Sequence, residues 1–202
     1  MCWFSVRPEG QPEKTERPAT ARVFFGLWPA PELAGQLAAL AEAAAGQFGG
    51  RPTRLNTIHL TLAFLGDIPE AQLPTLCDVG RRVAFRPFAL SIDQVGFWPR
   101  QRLLWAGCRA SVPALGDLVA DLREALVEAG FSAHGHERTF IPHVTLVRKI
   151  PTSSAGDIAH RLPPIAPLRW PCQDFVLVRS QLAVTGSRYQ TIARFPASPL
   201  GG

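Results

Sequence analysis

Cysteine is sparse and scattered in this chain. Cys2, Cys77, Cys108 and Cys172 form no Cys-x-x-Cys pair, which removes the common zinc and dithiol spacings. No apolar run approaches the roughly 18 residues a membrane helix needs. The most apolar helical stretch, Leu33 to Phe48, is interrupted by Gln36, Glu42 and Gln47. Acidic residues are in the minority: 16 Asp and Glu stand against 21 Lys and Arg, nearly all of them arginine. The resulting charge of +5 suits an anionic substrate or a nucleic acid, because guanidinium groups bind phosphate bidentately. Charge alone does not choose between these. With 202 residues and 47% hydrophobic content, one domain can bury a sizeable core without disulfide staples.

Met1 to Thr20 holds prolines and charges without periodicity, and is expected to be a flexible tail ahead of a single domain over residues 21–202. Its Glu9, Glu13 and Glu16, and the lack of an apolar stretch, argue against a targeting segment. A reducing cytoplasm is the expected compartment, and a monomer the expected state.

The remaining pattern alternates strands and helices. Arg22 to Trp28 reads as a strand. Pro31 opens a helix with Leu33, Leu37, Leu40 and Ala44 on one stripe, closed by Gly49-Gly50. Ile58 to Leu65 is a strand ended by Gly66-Asp67, and a helix follows over Pro69 to Val83. Phe88 to Phe97 and Arg102 to Cys108 form a strand pair. Val112 to Ala129 is a helix with Leu115, Leu118, Val119, Leu122 and Leu126 on one face. His143 to Ile150 is a strand, and Pro151 to Pro171 a long proline-rich connection. Phe175 to Leu182 and Tyr189 to Phe195 form a closing pair. This order predicts an α+β fold with largely antiparallel sheets.

One phrase occurs twice. His59-Leu60-Thr61-Leu62 and His143-Val144-Thr145-Leu146 both read His-x-Thr-Leu inside apolar runs. A strand puts alternate side chains on one face, so each copy aims an imidazole and a hydroxyl to the same side, about 7 Å apart. One copy in each half suggests two pseudo-symmetric lobes around a central cleft, with helices on the outside. Two imidazoles that titrate near neutrality can take one proton and give another. Two hydroxyls can hydrogen-bond phosphate oxygens as their charge grows. No metal or other cofactor is needed for this chemistry.

The chain resembles the two-histidine phosphoesterase superfamily, in particular its RNA 2′,3′-cyclic phosphodiesterases, also called 2′-5′ RNA ligases. The matching segments are Arg22-Val-Phe-Phe-Gly-Leu27, Asn56-Thr-Ile-His-Leu-Thr-Leu-Ala-Phe-Leu-Gly66 and Phe140-Ile-Pro-His-Val-Thr-Leu-Val-Arg-Lys149, with Leu177 to Leu182 and Gly186 to Tyr189 near the end. Thr57 departs from the leucine common in that family. The resemblance implies metal-free hydrolysis of RNA 2′,3′-cyclic phosphate ends to 2′-phosphates, with His59 and His143 as catalytic acid and base. His143 would activate water and His59 protonate the 3′ oxygen, with exchange of the roles open. Thr61 and Thr145 would bind the phosphate. Alternatives are 2′-5′ ligation, another cyclic nucleotide as substrate, or a non-catalytic RNA-binding module; RNA ends or small cyclic nucleotides are the expected partners, and no membrane.

Arg148 is a further phosphate-binding candidate, although simple alternation puts it on the face opposite Thr145 unless a bulge intervenes. Phe25, Phe140 and Tyr189 are candidates for stacking on a base. His134-Gly135-His136 has a metal-like spacing, but a third ligand is not evident nearby.

Overall fold

A computed structural model describes residues 19–134, 139–151, 158–162, 165–183 and 186–198. The elements run β1 Thr20–Leu27, α1 Pro31–Phe48, β2 Arg51–Pro52, β3 Leu60–Pro69, α2 Leu73–Arg82, β4 Phe88–Ile92, β5 Gln94–Trp98, β6 Leu103–Gly107, α3 Pro113–Glu128, β7 Val144–Arg148, α4 Ile158–Arg161, β8 Leu168–Cys172, β9 Asp174–Ala183 and β10 Gly186–Pro196. Every strand pair is antiparallel. The fold is α+β, as the element order predicts.

One sheet passes through both halves in the order β10-β9-β1-β3-β7-β6-β5, with β2 also on β7. At its centre β3 and β7 are joined at one aligned pair, Leu60 and Val144. Beyond that pair they separate, and β2 takes the vacated edge of β7 through Arg51–Arg148 and Pro52–Val147. The main core gathers the buried stripes of α1, α2 and α3, including Leu37, Leu76 and Leu122, against one side of this sheet. On the other side Phe24, Val176 and Val178 form a second cluster with Trp28, Phe64 and Tyr189 packed on it. Neighbouring residues of one strand supply both clusters, since Phe25 and Leu177 face the main core.

Several boundaries differ from the sequence expectation. Gly66 does not end its strand: at φ +74° it continues within β3, which runs on to Pro69 opposite Thr20. Thr20 is therefore in a strand, and the carbonyl of Ala19 accepts the Glu70 amide at 2.8 Å. The tail expected over residues 1–20 is thus too long at its end; residues 1–18 lie outside the described ones. Phe88 to Phe97 is two strands. Phe88–Ile92 leaves the main sheet and pairs with Leu168–Cys172, a strand hidden in the proline-rich connection, while Gln94–Trp98 pairs with Leu103–Gly107. Pro171 is tolerated in β8 because each strand of that two-stranded sheet is an edge strand.

Candidate active site

Each histidine lies just before the strand it introduces, at the point where β3 and β7 touch. One step on either side of the Leu60–Val144 pair, the antiparallel register sets His59 across from Thr145 and Thr61 across from His143. Leu60 and Val144 are fully buried, so the four polar residues share the opposite face. The two copies of the phrase thus interlock, each imidazole beside the other copy's hydroxyl. Directly opposite positions in such a ladder lie about 5 Å apart between Cα atoms.

The two rings are held alike. His59 Nδ1 donates to the Thr57 carbonyl at 2.7 Å, and His143 Nδ1 donates to the Ile141 carbonyl at 2.9 Å. A carbonyl only accepts, so Nδ1 carries the hydrogen and each neutral ring keeps its Nε2 lone pair. A tryptophan packs on each ring as well. Trp28 stacks on His59 with centroids 5.4 Å apart, and Trp98 meets His143 edge to face at 4.5 Å. Phe24 and Tyr189 complete an aromatic surround of His59 at 4.8 and 5.3 Å. Neither tryptophan is recognisable from the sequence as part of the site; an aromatic at a strand end is the only signal.

These surroundings separate the two histidines electrostatically. Burial disfavours the charged ring of His59 and pushes its pKa down to about 4, against the opposing pull of the Thr57 carbonyl; Arg148 and His143 add repulsion. Burial also lowers His143, again opposed by a carbonyl and assisted by Arg148. In the free protein His59 is the more firmly neutral of the two.

Arg148 reaches the cleft face. Its Nη2 donates to Thr145 Oγ1 at 3.3 Å. The register explains this: Leu104 pairs with Val147 but Trp105 pairs with Thr145, leaving Leu146 as an extra residue. That bulge reverses the alternation and returns Arg148 to the face of Thr145. Strand β3 has the same irregularity, with Gly26 opposite Thr61 and Phe25 opposite Ala63. Phe64 thereby joins Thr61 on the cleft face, the counterpart of Arg148 in the other copy.

Phe25 is a correction. It is fully buried, its ring 6.1 Å from Phe175 and 6.1 Å from Phe195, and no base can reach it. Its neighbour Phe24 faces His59 instead, because alternation assigns two consecutive phenylalanines to opposite faces without saying which is which. Tyr189 stands beside His59. Phe140 stands on the His143 side, under the guanidinium of Arg123 at 5.7 Å. A cavity of about 390 Å³ opens there, lined by Thr61, His143, Trp98, Phe140, Phe64 and His134. His134 packs against Phe64 at 5.6 Å, while His136 lies outside the described residues. Among the described residues no group of His, Cys, Asp or Glu is arranged to hold a metal ion.

An antiparallel sheet with paired His-x-Thr strands at its central seam defines a two-histidine phosphoesterase. The family model described as LigT like Phosphoesterase matches residues 27–105. The RNA 2′,3′-cyclic phosphodiesterase of Thermus thermophilus is 34% identical over 156 residues, 73% of this chain and 75% of the relative. The protein of the same name from Escherichia coli is 31% identical over 146 residues, covering 72% and 79%. Among solved structures, E. coli LigT complexed with 3′-AMP superposes with a TM-score of 0.75 at 27% identity, over 89% of this chain and 99% of that one. The chain belongs to the LigT-like phosphoesterase family.

Proposed function

We propose that this protein hydrolyses the 2′,3′-cyclic phosphate at RNA ends to a 2′-phosphate, using His59 and His143 and no metal. The observation that carries the reading is the interlocked pair at the Leu60–Val144 contact, which sets two imidazoles and two hydroxyls on one face at the junction of β3 and β7. The activity named for the Thermus and E. coli relatives supports it. In the reaction, the oxygen of water bonds to phosphorus as the bond to the 3′ oxygen breaks. One proton passes from water to a neutral imidazole, and another from an imidazolium to the departing oxygen. Thr61, Thr145 and Arg148 hold the non-bridging oxygens, where negative charge grows. Tyr189 and Phe140 are the remaining candidates for contact with a base. One chain supplies both motifs, so we read the working unit as a monomer, acting in the cytoplasm on RNA ends.

The sequence expectation gives water activation to His143 and leaving-group protonation to His59. The depressed pKa of His59, about 4, favours the exchanged allocation, in which the neutral His59 takes the proton and His143 gives one. The cavity lined by His143 supports the same allocation, since it offers room for the departing ribose beside that ring.

An oligoribonucleotide ending in a 2′,3′-cyclic phosphate, incubated with EDTA and followed by phosphorus NMR, tests the activity. A 2′-monophosphate is the expected product. A 3′-monophosphate reverses the regiochemistry, and no turnover favours a binding module. His59→Ala and His143→Ala are each expected to lose at least about a hundredfold in kcat. Replacing the bridging 3′ oxygen by sulfur removes the need for an acid, so only the variant lacking the acid regains turnover.

A further inference from the structure

The turn after α1 brings a second arginine to the rim of the cleft. Gly49 and Gly50 have φ of +75° and +100°. A Cβ on Gly50 would lie 2.8 Å from both the Arg148 carbonyl and Val147 Cγ1. Glycine here lets the chain run hard against β7, and it sets Arg51 directly across from Arg148. Directly opposed residues of an antiparallel pair share a face. Arg148 is on the cleft face through Thr145, so Arg51 is too.

Two like charges opposed across a ladder repel each other, and no described carboxylate relieves them. The described ion pairs are Arg22–Asp67, Arg81–Asp78, Arg179–Glu70 and Arg194–Asp174; neither Arg51 nor Arg148 has a carboxylate partner among the described residues. The same edge continues through Lys149 and Arg102, both exposed. These two are the non-glycine residues with positive φ among those described, at 57° and 50°. They are tied together by the Ile150 amide, which donates to the Arg102 carbonyl at 3.1 Å. Like charges gathered without a described carboxylate partner at one exposed edge mark a place where an anion relieves repulsion.

We propose that this edge, with Arg51 at its centre, holds the phosphodiester that precedes the reactive nucleotide, so that RNA chains are preferred over free cyclic mononucleotides. The inference rests on the cyclic phosphodiesterase reading. The reactive phosphate lies at Thr145 and Arg148, and Arg51 is the next strand out. Whatever extends past the reactive nucleotide in RNA is the chain on its 5′ side, whose charged groups are phosphates. Arginine grips these bidentately while Lys149 adds a point charge.

The test compares a 2′,3′-cyclic mononucleotide with a tetranucleotide carrying the same cyclic end, in the wild type and in Arg51→Gln. The wild type is expected to favour the tetranucleotide, and to lose that advantage between about 50 and 200 mM salt. Arg51→Gln raises KM for the tetranucleotide about tenfold, flattens the salt slope by roughly 0.7 and leaves the mononucleotide kinetics unchanged. An equal loss on both substrates, or none on the tetranucleotide, overturns the proposal. If the wild type turns over neither substrate, the cyclic phosphodiesterase reading has failed instead. The rim is then judged by fluorescence polarisation with a 2′-phosphate-ended tetranucleotide, where unchanged affinity in Arg51→Gln sinks it.

Discussion

At the scale of single residues, the identity of the four polar groups can be read from the doubled phrase, but their inequality cannot. His59 and His143 sit in the same words with the same backbone partner two residues upstream, and differ in what packs on them. Trp28, Phe24 and Tyr189 surround His59, and the burial they impose is the largest cause of its lowered pKa. This has a pH consequence. kcat/KM reports the free enzyme, and in the proposed reaction the competent pair carries one proton. Both rings are lowered from their usual value, so raising the pH toward 6.5 removes that proton and lowers kcat/KM. Acidification below about 4 protonates His59 as well and lowers it again. The optimum of kcat/KM is therefore expected below 6.5. Trp28→Ala admits water to His59 and raises its pKa, which moves the acid limb to higher pH. An acid limb that stays in place in Trp28→Ala would contradict burial as the cause.

At the scale of elements, alternation is a sound guide until an extra residue enters a strand. Leu146 in β7 changes the parity of everything beyond it, which is why Arg148 reaches Thr145 although counting by twos turns it away. β3 does the same beyond Thr61 and brings Phe64 into the cleft. The three longer helices were legible because their apolar stripes are long: the buried residues of α3 are Leu115, Leu118, Val119, Leu122 and Leu126, the stripe seen in the sequence, whereas the four-residue α4 falls in the stretch read as a connection. β8 was not legible, since two prolines and an arginine flank its buried Trp170 and its partner lies far away in the chain. Two glycines test how closely β7 depends on its neighbours. Gly50→Ala forces a Cβ into the Arg148 carbonyl at a left-handed φ, and is expected to cost about 1–3 kcal/mol and to lower kcat/KM by displacing Arg148. Gly35→Ala, inside α1 with nothing within 4 Å of the added carbon, should stabilise by roughly 0.5–1 kcal/mol and leave activity alone. Urea denaturation and steady-state kinetics separate the two; a Gly50→Ala protein of wild-type stability would remove the close approach of β2 as a structural requirement.

At the scale of the whole molecule, the expectation of two similar halves around a cleft meets a sheet that does not stop between them. The halves are joined where the two His-x-Thr segments meet, through Leu60 and Val144, and both side chains are fully buried in one core shared by the helices of each half. Gly26 contributes from β1: a Cβ there would stand 2.9 Å from the Leu60 carbonyl, so the absence of a side chain lets β1 close on the seam. Joining the halves at the two His-x-Thr strands ties the spacing of the two imidazoles to the packing beneath them. Leu60→Ala and Leu37→Ala distinguish this from ordinary core loss, because both leucines are fully buried but only Leu60 is itself a member of the aligned pair that joins β3 to β7. Each truncation is expected to cost about 2–5 kcal/mol, a fall in Tm of roughly 5–15 °C for a chain of this size. Well below both melting temperatures, Leu37→Ala should keep near wild-type kcat. Leu60→Ala should lose tenfold or more, since a displacement of about 1 Å between acid and base is enough for that. Equal kcat in the two variants would mean that the seam carries stability alone, and that the histidines are positioned by their own carbonyl bonds and tryptophans.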